Sequence, residues 1–345
     1  MKTENKIIFS DARDMKQIKS ESVDLMITSP PYPMIKMWDE MFGEQNSEIT
    51  EAIKNENGEL AFELMHKELD KVWSETFRVL KNGGIACINI GDSTRTLKSV
   101  FQIYTSHARI LNYCLKLGFH ALPEILWVKE TNKPDKFMGS GMLPVGAYVT
   151  LEHEHILILR KDGKRPFKKE EEKELRRRSA FFWEERNLWF SDKWKDVKGI
   201  NQGLKNKDLR DRSGAYPLEL AHRLINMFSI QGDVVLDPYL GTGTTTMGAI
   251  VSGRNSIGFE IDPNFKETVE ERITEISKVV NDIIDKRIEN HKEFVKKRTE
   301  EKGKLKYVNE NYDFPVMTRQ ELKLKFPILK SFNKKDEGTF EVEYD

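Results

Sequence analysis

Hydrophobic positions along this chain follow two recurring patterns, short apolar runs and helical spacing. Short apolar runs, which predict buried strands, occupy residues 6–10, 23–28, 85–90, 125–128, 155–159, 234–236 and 255–261. Apolar residues three or four positions apart predict helices at residues 61–80, 100–117, 217–230 and 263–298, and another helix begins near residue 244. Between these elements, residues 34–60 are polar and irregular, which predicts a long loop. Strands that alternate with helices are typical of a doubly wound α/β sheet.

The composition excludes several classes of protein. The 345 residues are 38% hydrophobic, which is enough to build a core, and no apolar run is long enough to cross a membrane. The polar start of the chain, followed by a short apolar run, does not resemble a signal peptide. Two cysteines, Cys87 and Cys114, cannot form a disulfide framework or a four-cysteine zinc site. We therefore expect a cytoplasmic protein with no membrane partner.

Charge is unevenly distributed along the chain, although 56 basic and 56 acidic residues sum to zero. Residues 161–212 carry 17 Lys and Arg against 11 Asp and Glu. The same segment also holds the large aromatic residues Phe181, Phe182, Trp183, Trp189, Phe190 and Trp194. Basic residues interleaved with aromatic ones suit a nucleic-acid surface. The composition is equally compatible with a solvated helix at 168–178 followed by an aromatic mini-core.

A glycine-rich turn joins a predicted strand to a predicted helix at residues 237–245. Gly241 and Gly243 permit positive φ and close approach of a ligand, and the following helix start favours an anionic group. Asp237 can pair with a ligand ammonium, and Glu260, at the end of the next strand, can accept both hydroxyls of a ribose. S-adenosylmethionine (SAM) carries all three groups. NAD is a competitor, but Thr246 replaces the third glycine of its fingerprint, and a turn without ligand remains the alternative.

A Ser-Pro-Pro-Tyr turn follows the predicted strand at 23–28. Two prolines hold the backbone extended and donate no N–H, so neighbouring carbonyls are left as fixed acceptors. Such acceptors suit the exocyclic NH₂ of a planar base, and Tyr32 offers a ring on which that base can stack. The structural alternative is a strand terminator with a core tyrosine. We favour the base-binding interpretation, because the glycine turn independently predicts a ligand site in the same sheet.

With these two motifs in this order, the sequence resembles the amino-group DNA methyltransferases of the permuted β class. Further matches lie at residues 10–12, 81–84, 152–157, 214–217 and 253–260, although Ser10 stands where the family usually has Gly. The resemblance implies a doubly wound, seven-stranded mixed sheet of the SAM-dependent, Rossmann-like type with a target-recognition insert. It divides the chain into a catalytic half (1–160), a target-recognition region (161–212), a SAM-binding half (213–262) and a C-terminal helix and tail (263–345).

The resemblance also implies the substrates and the site residues. It assigns SAM as cofactor, double-stranded DNA as substrate, and a target base that leaves the duplex. The implied cofactor residues are Asp11, Ala12, Tyr216, Pro217, Asp237, Pro238, Gly241, Gly243, Thr244, Thr245 and Glu260. The implied catalytic residues are Ser29, Pro30, Pro31 and Tyr32. A serine at the first catalytic position resembles enzymes that methylate cytosine N4, whereas adenine-N6 enzymes more often carry Asp there.

Several alternatives and partners follow from the same residues. Methylation at cytosine C5 needs a cysteine nucleophile, which neither Cys87 nor Cys114 provides in a Pro-Cys turn. His153 and His155 share a strand face without a third placed ligand, so we expect no metal. The alternative outside the enzymes is a DNA-binding module that has lost catalysis. We expect a prokaryotic, nucleoid-associated enzyme of a restriction–modification system with a separate endonuclease, and the 263–298 helix leaves a homodimer open.

Overall fold

A ten-stranded mixed sheet forms the centre of the computed structural model, which describes residues 1–129, 138–199 and 215–345. The strands are β1 (Lys2–Phe9), β2 (Val23–Thr28), β3 (Leu80–Ile90), β4 (Ser93–Leu97), β5 (Val100–Tyr104), β6 (Phe119–Val128), β7 (Met138–Gly139), β8 (Ala147–Tyr148), β9 (His153–Lys161), β10 (Lys193–Trp194), β11 (Val234–Asp237), β12 (Asn255–Glu260), β13 (Tyr307–Val308), β14 (Pro315–Val316), β15 (Leu329–Asp336) and β16 (Thr339–Tyr344). The main sheet has the order β10-β6-β9-β3-β2-β11-β12-β1-β16-β15, and the remaining strands form three two-stranded ribbons.

Helices cover both faces of this sheet. They are α1 (Asp39–Gln45), α2 (Ser47–Lys54), α3 (Gly58–Val79), α4 (Ser106–Leu117), α5 (Glu170–Arg178), α6 (Trp183–Trp189), α7 (Leu218–Phe228), α8 (Thr244–Ser252), α9 (Lys266–Ser277) and α10 (Val280–Lys302). Strand β2 shows the arrangement, because Met26 packs into the core formed with α3 and α4, whereas Leu25 and Ile27 pack into the core formed with α7. The predicted doubly wound mixed sheet is thus confirmed.

Strands β3, β2, β11, β12 and β1 are neighbours in this order and all run parallel. Parallel strands bring their carboxyl ends to one edge of the sheet, and ligands of open α/β sheets bind at that edge. The chain leaves β1 towards Asp11, β2 towards Ser29, β11 after Asp237 and β12 after Glu260. Four loops that are far apart in sequence are therefore close together in space.

The sheet is larger than the expected seven strands. Seven of its strands, from β6 to β1 in sheet order, form the expected core, while β10 extends one edge and β16 and β15 extend the other. Strand β16 pairs antiparallel with β1 and buries Phe340, Val342 and Tyr344. These apolar residues alternate with polar ones, which is the pattern of a strand. This pattern was not recognised in the sequence, and no strand was predicted for the tail.

Three other local predictions were wrong in detail. Residues 100–104 form a strand rather than a helix, because Lys98 and Ser99 adopt positive φ and turn β4 back as β5. Residues 34–60 contain α1 and α2 and the start of α3 rather than a long loop, and the predicted helix at 263–298 is divided into α9 and α10. Both cysteines are free and buried, in β3 and α4.

The described part of the predicted target-recognition region, residues 161–199, packs against the rest of the chain. Phe182, Trp189 and Trp194 are buried, and Phe182 stacks on His291 of α10 with ring centroids 3.8 Å apart. For these three residues, the structure shows the aromatic-core alternative. Residues 200–212 lie outside the described part of the chain. No helix in the described residues is long and apolar enough to cross a membrane.

Candidate active site

One cavity of about 680 Å³ opens at the carboxyl edge of the parallel strands and contains both predicted motifs. The predicted residues that line it are Asp11, Ala12, Ser29, Pro30, Pro31, Tyr32, Tyr216, Asp237, Pro238, Gly241, Thr244 and Glu260. Three other predicted residues, Pro217, Gly243 and Thr245, do not line it. Pro217 and Gly243 precede α7 and α8 as their N-cap residues, and the hydroxyl of Thr245 donates a hydrogen bond to Asp237.

The Ser-Pro-Pro-Tyr segment lies at one end of the cavity and is tied to two neighbouring strands. The hydroxyl of Tyr32 donates to a carboxylate oxygen of Glu154 over 2.9 Å and lies 3.1 Å from the hydroxyl of Ser29. The side-chain amide of Asn89 donates to Tyr32 over 2.9 Å and to Glu154 over 2.7 Å. Lys129 pairs with the other oxygen of Glu154. Burial, and after it the charge of Glu154, raise the pKa of Tyr32 well above its usual value.

The region after the catalytic segment forms one wall of the same cavity. The short 3-10 turn Lys36–Trp38 and helix α1 contribute Met37, Trp38 and Met41 to the lining. A bidentate ion pair between Arg95 and Asp39, with distances of 2.8 and 2.7 Å, holds the first turn of α1 to the β4–β5 ribbon. The segment predicted as a loop is therefore an ordered wall of the cavity.

The glycine turn has the conformation that the sequence predicts. Gly241 and Gly243 have φ of 53° and 84°, and α8 begins at Thr244. A Cβ atom placed on Gly241 would meet no atom within 4 Å, so the backbone borders open space. The hydroxyl groups of Thr242 and Thr244 are buried and have no hydrogen-bond partner among the described residues. These unpaired donors and the start of α8 suit the carboxylate of a bound ligand.

Asp237 ends β11 as a fully buried carboxylate. One of its oxygens accepts a hydrogen bond of 2.7 Å from the hydroxyl of Thr28, which ends β2, and the other accepts from Tyr216 over 3.3 Å and from Thr245. Burial raises the pKa of Asp237 despite these donors. The hydrogen bond from Thr28 joins the end of β2, which precedes the Ser-Pro-Pro-Tyr segment, to the end of β11, which leads into the glycine turn, and thus ties the two motifs together.

Glu260 ends β12 and faces the same cavity. Its two oxygens accept hydrogen bonds of 2.9 Å from the backbone N–H groups of Gly241 and Asp262. Burial raises the pKa of Glu260 from 4.5 to about 7, although the hydrogen bonds from these two N–H groups act in the opposite direction. Each oxygen retains a second lone pair, so the group can still accept two hydroxyl groups of a ligand.

Asp11 and Ala12 lie at the end of β1. The carboxylate of Asp11 accepts hydrogen bonds of 2.8 Å from both the backbone and the side chain of Arg13, which in turn pairs with Glu68. Ala12 is buried and lines the cavity. The loop is thereby held in one conformation at the cavity edge.

A second polar cluster lies behind the active-site strands. The ligand-capable atoms of Asp92, His107 and His155 lie within 4.8 Å of one another, and His107 is 2.7 Å from Asp92. The cluster contains His155 of the histidine pair noted in the sequence, but His153 is not part of it. However, the rings of His107 and His155 stack almost in parallel at 3.8 Å, and a metal ion binds in the plane of an imidazole. The two rings cannot share an ion without rotating, so we assign the cluster no metal.

Sequence reasoning missed Asn89, Lys129 and Glu154 as members of the site. Asn89 lies near the end of β3, a position equivalent to those of the predicted residues on β2 and β11. Glu154 alternates with His153 and His155 along β9, so strand parity places it on the opposite face from the histidines. That parity was a usable signal. For Lys129, which follows β6, we find no sequence signal.

The comparison with protein families decides what this arrangement is. A model of DNA methylases, the N6/N4 methyltransferase family, matches residues 23–271. The chain belongs to this family. The matched range contains both the Ser-Pro-Pro-Tyr segment and the glycine turn. Most of the residues that line the cavity lie within the matched range.

The methyltransferase is similar along its whole length to the Type II methyltransferase M.MthZI of Methanothermobacter thermautotrophicus, with 52% identity over 345 residues, which is all of this chain and 96% of the relative. It is 50% identical to the Type II methyltransferase M.MjaI of Methanocaldococcus jannaschii over 79% of this chain and 91% of that protein.

Among solved structures, the methyltransferase is similar to a candidate DNA modification methylase of Thermus thermophilus in complex with SAM. The TM-score is 0.61 and the identity 32%, over 79% of this chain and 94% of that one. SAM is the cofactor of the family. The unpaired hydroxyls of Thr242 and Thr244, the space beside Gly241 and the carboxylate of Glu260 fit its charged and ribose groups.

Proposed function

We propose that this methyltransferase transfers a methyl group from SAM to the exocyclic N4 of cytosine at a specific site in double-stranded DNA. The observation that carries the proposal is that the Ser29–Tyr32 segment, the glycine turn and Glu260 line one cavity. A base inside a duplex cannot reach such a cavity, so the target base must leave the stack. Ser29 at the first catalytic position favours cytosine N4 over adenine N6.

The catalytic residues act by accepting hydrogen bonds from the target amine. The lone pair of an exocyclic amine is delocalised into the ring, which makes the amine a poor nucleophile. Acceptance of its N–H groups by the Ser29 hydroxyl and the Pro30 carbonyl concentrates the lone pair on nitrogen. No described residue donates a hydrogen bond to that carbonyl, so it is available. SAM, when bound, supplies an electrophilic methyl group, and the protein contributes mainly positioning and electrostatics.

The cofactor residues divide among the ends of the SAM molecule. We assign its ammonium group to Asp237, whose buried carboxylate gains from a cation. Its carboxylate goes to the turn from Gly241 to Thr245, its ribose to Glu260, and its adenine to the Asp11–Ala12 loop. Tyr216 and Pro217 hold the wall beside the methionine end, through the hydrogen bond of Tyr216 to Asp237.

We further propose that the enzyme belongs to a restriction–modification system, as the names of the Type II relatives indicate for those proteins. Residues 161–212 remain the proposed target-recognition region, although none of the residues that line the cavity lies within 161–199. A cognate endonuclease would recognise the same DNA site separately. A homodimer is testable by light scattering of the purified enzyme with and without DNA.

Mass spectrometry of nucleosides tests the reaction. Plasmid DNA from a methylation-deficient host is incubated with the enzyme and methyl-deuterated SAM, digested and analysed. We expect deuterated N4-methylcytosine. N6-methyladenine as the sole product would overturn the base assignment, and absence of any methylated base would overturn the proposed activity.

Replacement of Tyr32 by alanine separates catalysis from DNA binding. We expect Y32A to lose about 5- to 150-fold in transfer rate, because stacking on an aromatic ring is worth about 1–3 kcal/mol, while DNA binding persists. Tyr307 lies in the β13–β14 ribbon and does not line the cavity, so Y307A is the matched control and should keep the wild-type rate. Transfer by Y32A at the wild-type rate would contradict the proposed role of the ring.

A further inference from the structure

We propose that Glu154 is a positioning residue that orients the Ser29 hydroxyl through Tyr32 and accepts the proton that leaves the methylated amine. The inference rests on the proposed function and deepens it. It assigns a role to a carboxylate that neither catalytic motif contains. Glu154 lies 122 residues from Tyr32 in sequence, but both side chains line the same cavity.

The first step of the argument is the direction of the hydrogen bonds. A carboxylate only accepts, so the hydrogen of the Tyr32 hydroxyl is directed to Glu154. The Tyr32 oxygen then has no hydrogen left for Ser29, and at 3.1 Å the Ser29 hydroxyl must be the donor. Asn89 donates to the same tyrosine oxygen. As a result, the Ser29 oxygen turns its lone pairs away from Tyr32. One of them accepts a long hydrogen bond of 3.4 Å from the side-chain amide of Asn89, and the other is available to the target amine.

The second step concerns the location and charge of Glu154. Its side chain is 13% exposed, and its carboxylate is fixed by Tyr32, Asn89 and Lys129. Asn89 itself is 2% exposed, so its side of the network is shielded from solvent, whereas Lys129 and Glu154 border the cavity. The backbone of Gly91 packs tightly against both side chains, because a Cβ atom at this position would lie 2.9 Å from the Tyr32 ring and 3.3 Å from Glu154. The carboxylate is thus held at one distance from the catalytic segment.

The third step is the proton balance. Formation of the N–C bond leaves the exocyclic nitrogen positively charged and with one proton too many. That proton moves to the Ser29 oxygen as the Ser29 proton moves to Tyr32 and the Tyr32 proton moves to Glu154. Each oxygen in the chain ends with one hydrogen, and Glu154 ends as a neutral acid. Because Glu154 lines the cavity, it can release the proton to solvent after each turnover.

The test compares E154Q, E154D, Y32F and the double variant E154Q/Y32F. Glutamine preserves the size of Glu154 but can neither carry the charge nor take the proton. The exposed Glu152, two residues earlier, provides E152Q as matched control. The measurements are single-turnover rates with enzyme in excess, dissociation constants for DNA and for SAM, and the titration of ¹³C-labelled tyrosine, with Tyr32 assigned from Y32F.

We expect E154Q to slow the single turnover at least tenfold, since a positioned acid–base group contributes about 10²–10⁴-fold. Both dissociation constants should stay within about threefold of wild type, which a merely structural role would not produce. E154D should recover part of the rate, and E154Q/Y32F should be no slower than the slower single variant, because both break one chain. In the protein without ligands, E154Q should lower the pKa of Tyr32 by removing the neighbouring charge.

Several results would overturn the inference. A single-turnover rate of E154Q within threefold of wild type, an equal loss in E152Q, or multiplicative losses in the double variant would each remove Glu154 from the proton path. If the wild-type enzyme methylates DNA and E154Q does so at the same rate, the inference about Glu154 is overturned and the proposed function stands. A wild type that methylates no exocyclic amine overturns the proposed function and, with it, the proton path.

Discussion

Glu260 provides a quantitative test of the cofactor half of the site. Burial raises its pKa from 4.5 to about 7. The folded protein therefore keeps this proton up to about pH 7, while the unfolded chain releases it near pH 4.5. Because the folded state binds more protons between these values, the free energy of unfolding decreases as pH rises through this window. The contribution is fully present below pH 4.5 and lost above about pH 7.

The magnitude follows from the same two values. At about 1.4 kcal/mol per pH unit, the interval from 4.5 to about 7 corresponds to about 3 kcal/mol. A glutamine at this position does not titrate. Replacement also alters the hydrogen bonds to Gly241 and Asp262, but that change is the same at every pH. The stability of E260Q relative to wild type should therefore increase by about 3 kcal/mol between pH 5 and pH 8.

Calorimetry without SAM measures this difference. An unfolding entropy of roughly 2.1 cal/mol/K per residue over 345 residues converts 3 kcal/mol into about 4 °C. The melting temperature of E260Q minus that of wild type should rise by about this amount from pH 5 to pH 8. A difference that stays flat with pH would refute the raised pKa.

Cofactor affinity tests the ribose assignment in the same pair of proteins. Hydrogen bonds to a charged group are worth about 1.5–3 kcal/mol, so E260Q should bind SAM about 10–100-fold more weakly at pH 8. At pH 6 most of the wild-type Glu260 is protonated, so the ratio of the two affinities should shrink by roughly tenfold. The ratio cancels titration of the ligand, and titration calorimetry measures it. Equal affinities at pH 8 would contradict the assignment.

Two further substitutions test how the site is held together. T28V removes the 2.7 Å hydrogen bond to the buried Asp237 and should lower the free energy of unfolding, measured in urea, by about 1–3 kcal/mol. T76V is the control, because the buried hydroxyl of Thr76 has no partner among the described residues. It should change the free energy of unfolding by less than about 0.5 kcal/mol. G248V places side-chain atoms where a Cβ already meets Ile225 at 2.9 Å and should cost about 1–3 kcal/mol, whereas G163A, in open space, should be neutral. Equal effects within either pair would contradict the packing described here.

The local conformations of the two motifs were predictable from sequence for a physical reason. Gly241 and Gly243 adopt positive φ because only glycine does so without strain, and Thr244 begins a helix because that turn leads into one. Residues 23–28 are a buried strand along their whole length. Such backbone preferences depend on a few neighbouring residues, so the residue types at these positions indicate the conformation directly.

Residues 100–104 and 339–344 show where pattern reasoning fails. Apolar residues at 100, 101, 103 and 104 fit a helix as well as a strand, and the positive φ of Lys98 and Ser99 decides for a hairpin. Strand β16 has a clear alternation but no signal that names its partner, which is β1 at the opposite end of the chain. Pairing between distant segments depends on the packing of the whole domain, and sequence patterns carry no information on distance.

For this protein, the sequence alone determined the sheet type, the glycine turn, the Ser-Pro-Pro-Tyr segment and the ligands that each suits. Tertiary structure alone decided that the two motifs share a cavity and that Asn89, Lys129 and Glu154 surround Tyr32. It also decided that Phe182, Trp189 and Trp194 are core residues. The physical reason is that backbone preferences are local, whereas a catalytic site is assembled by parallel strands that bring residues more than a hundred positions apart to one edge.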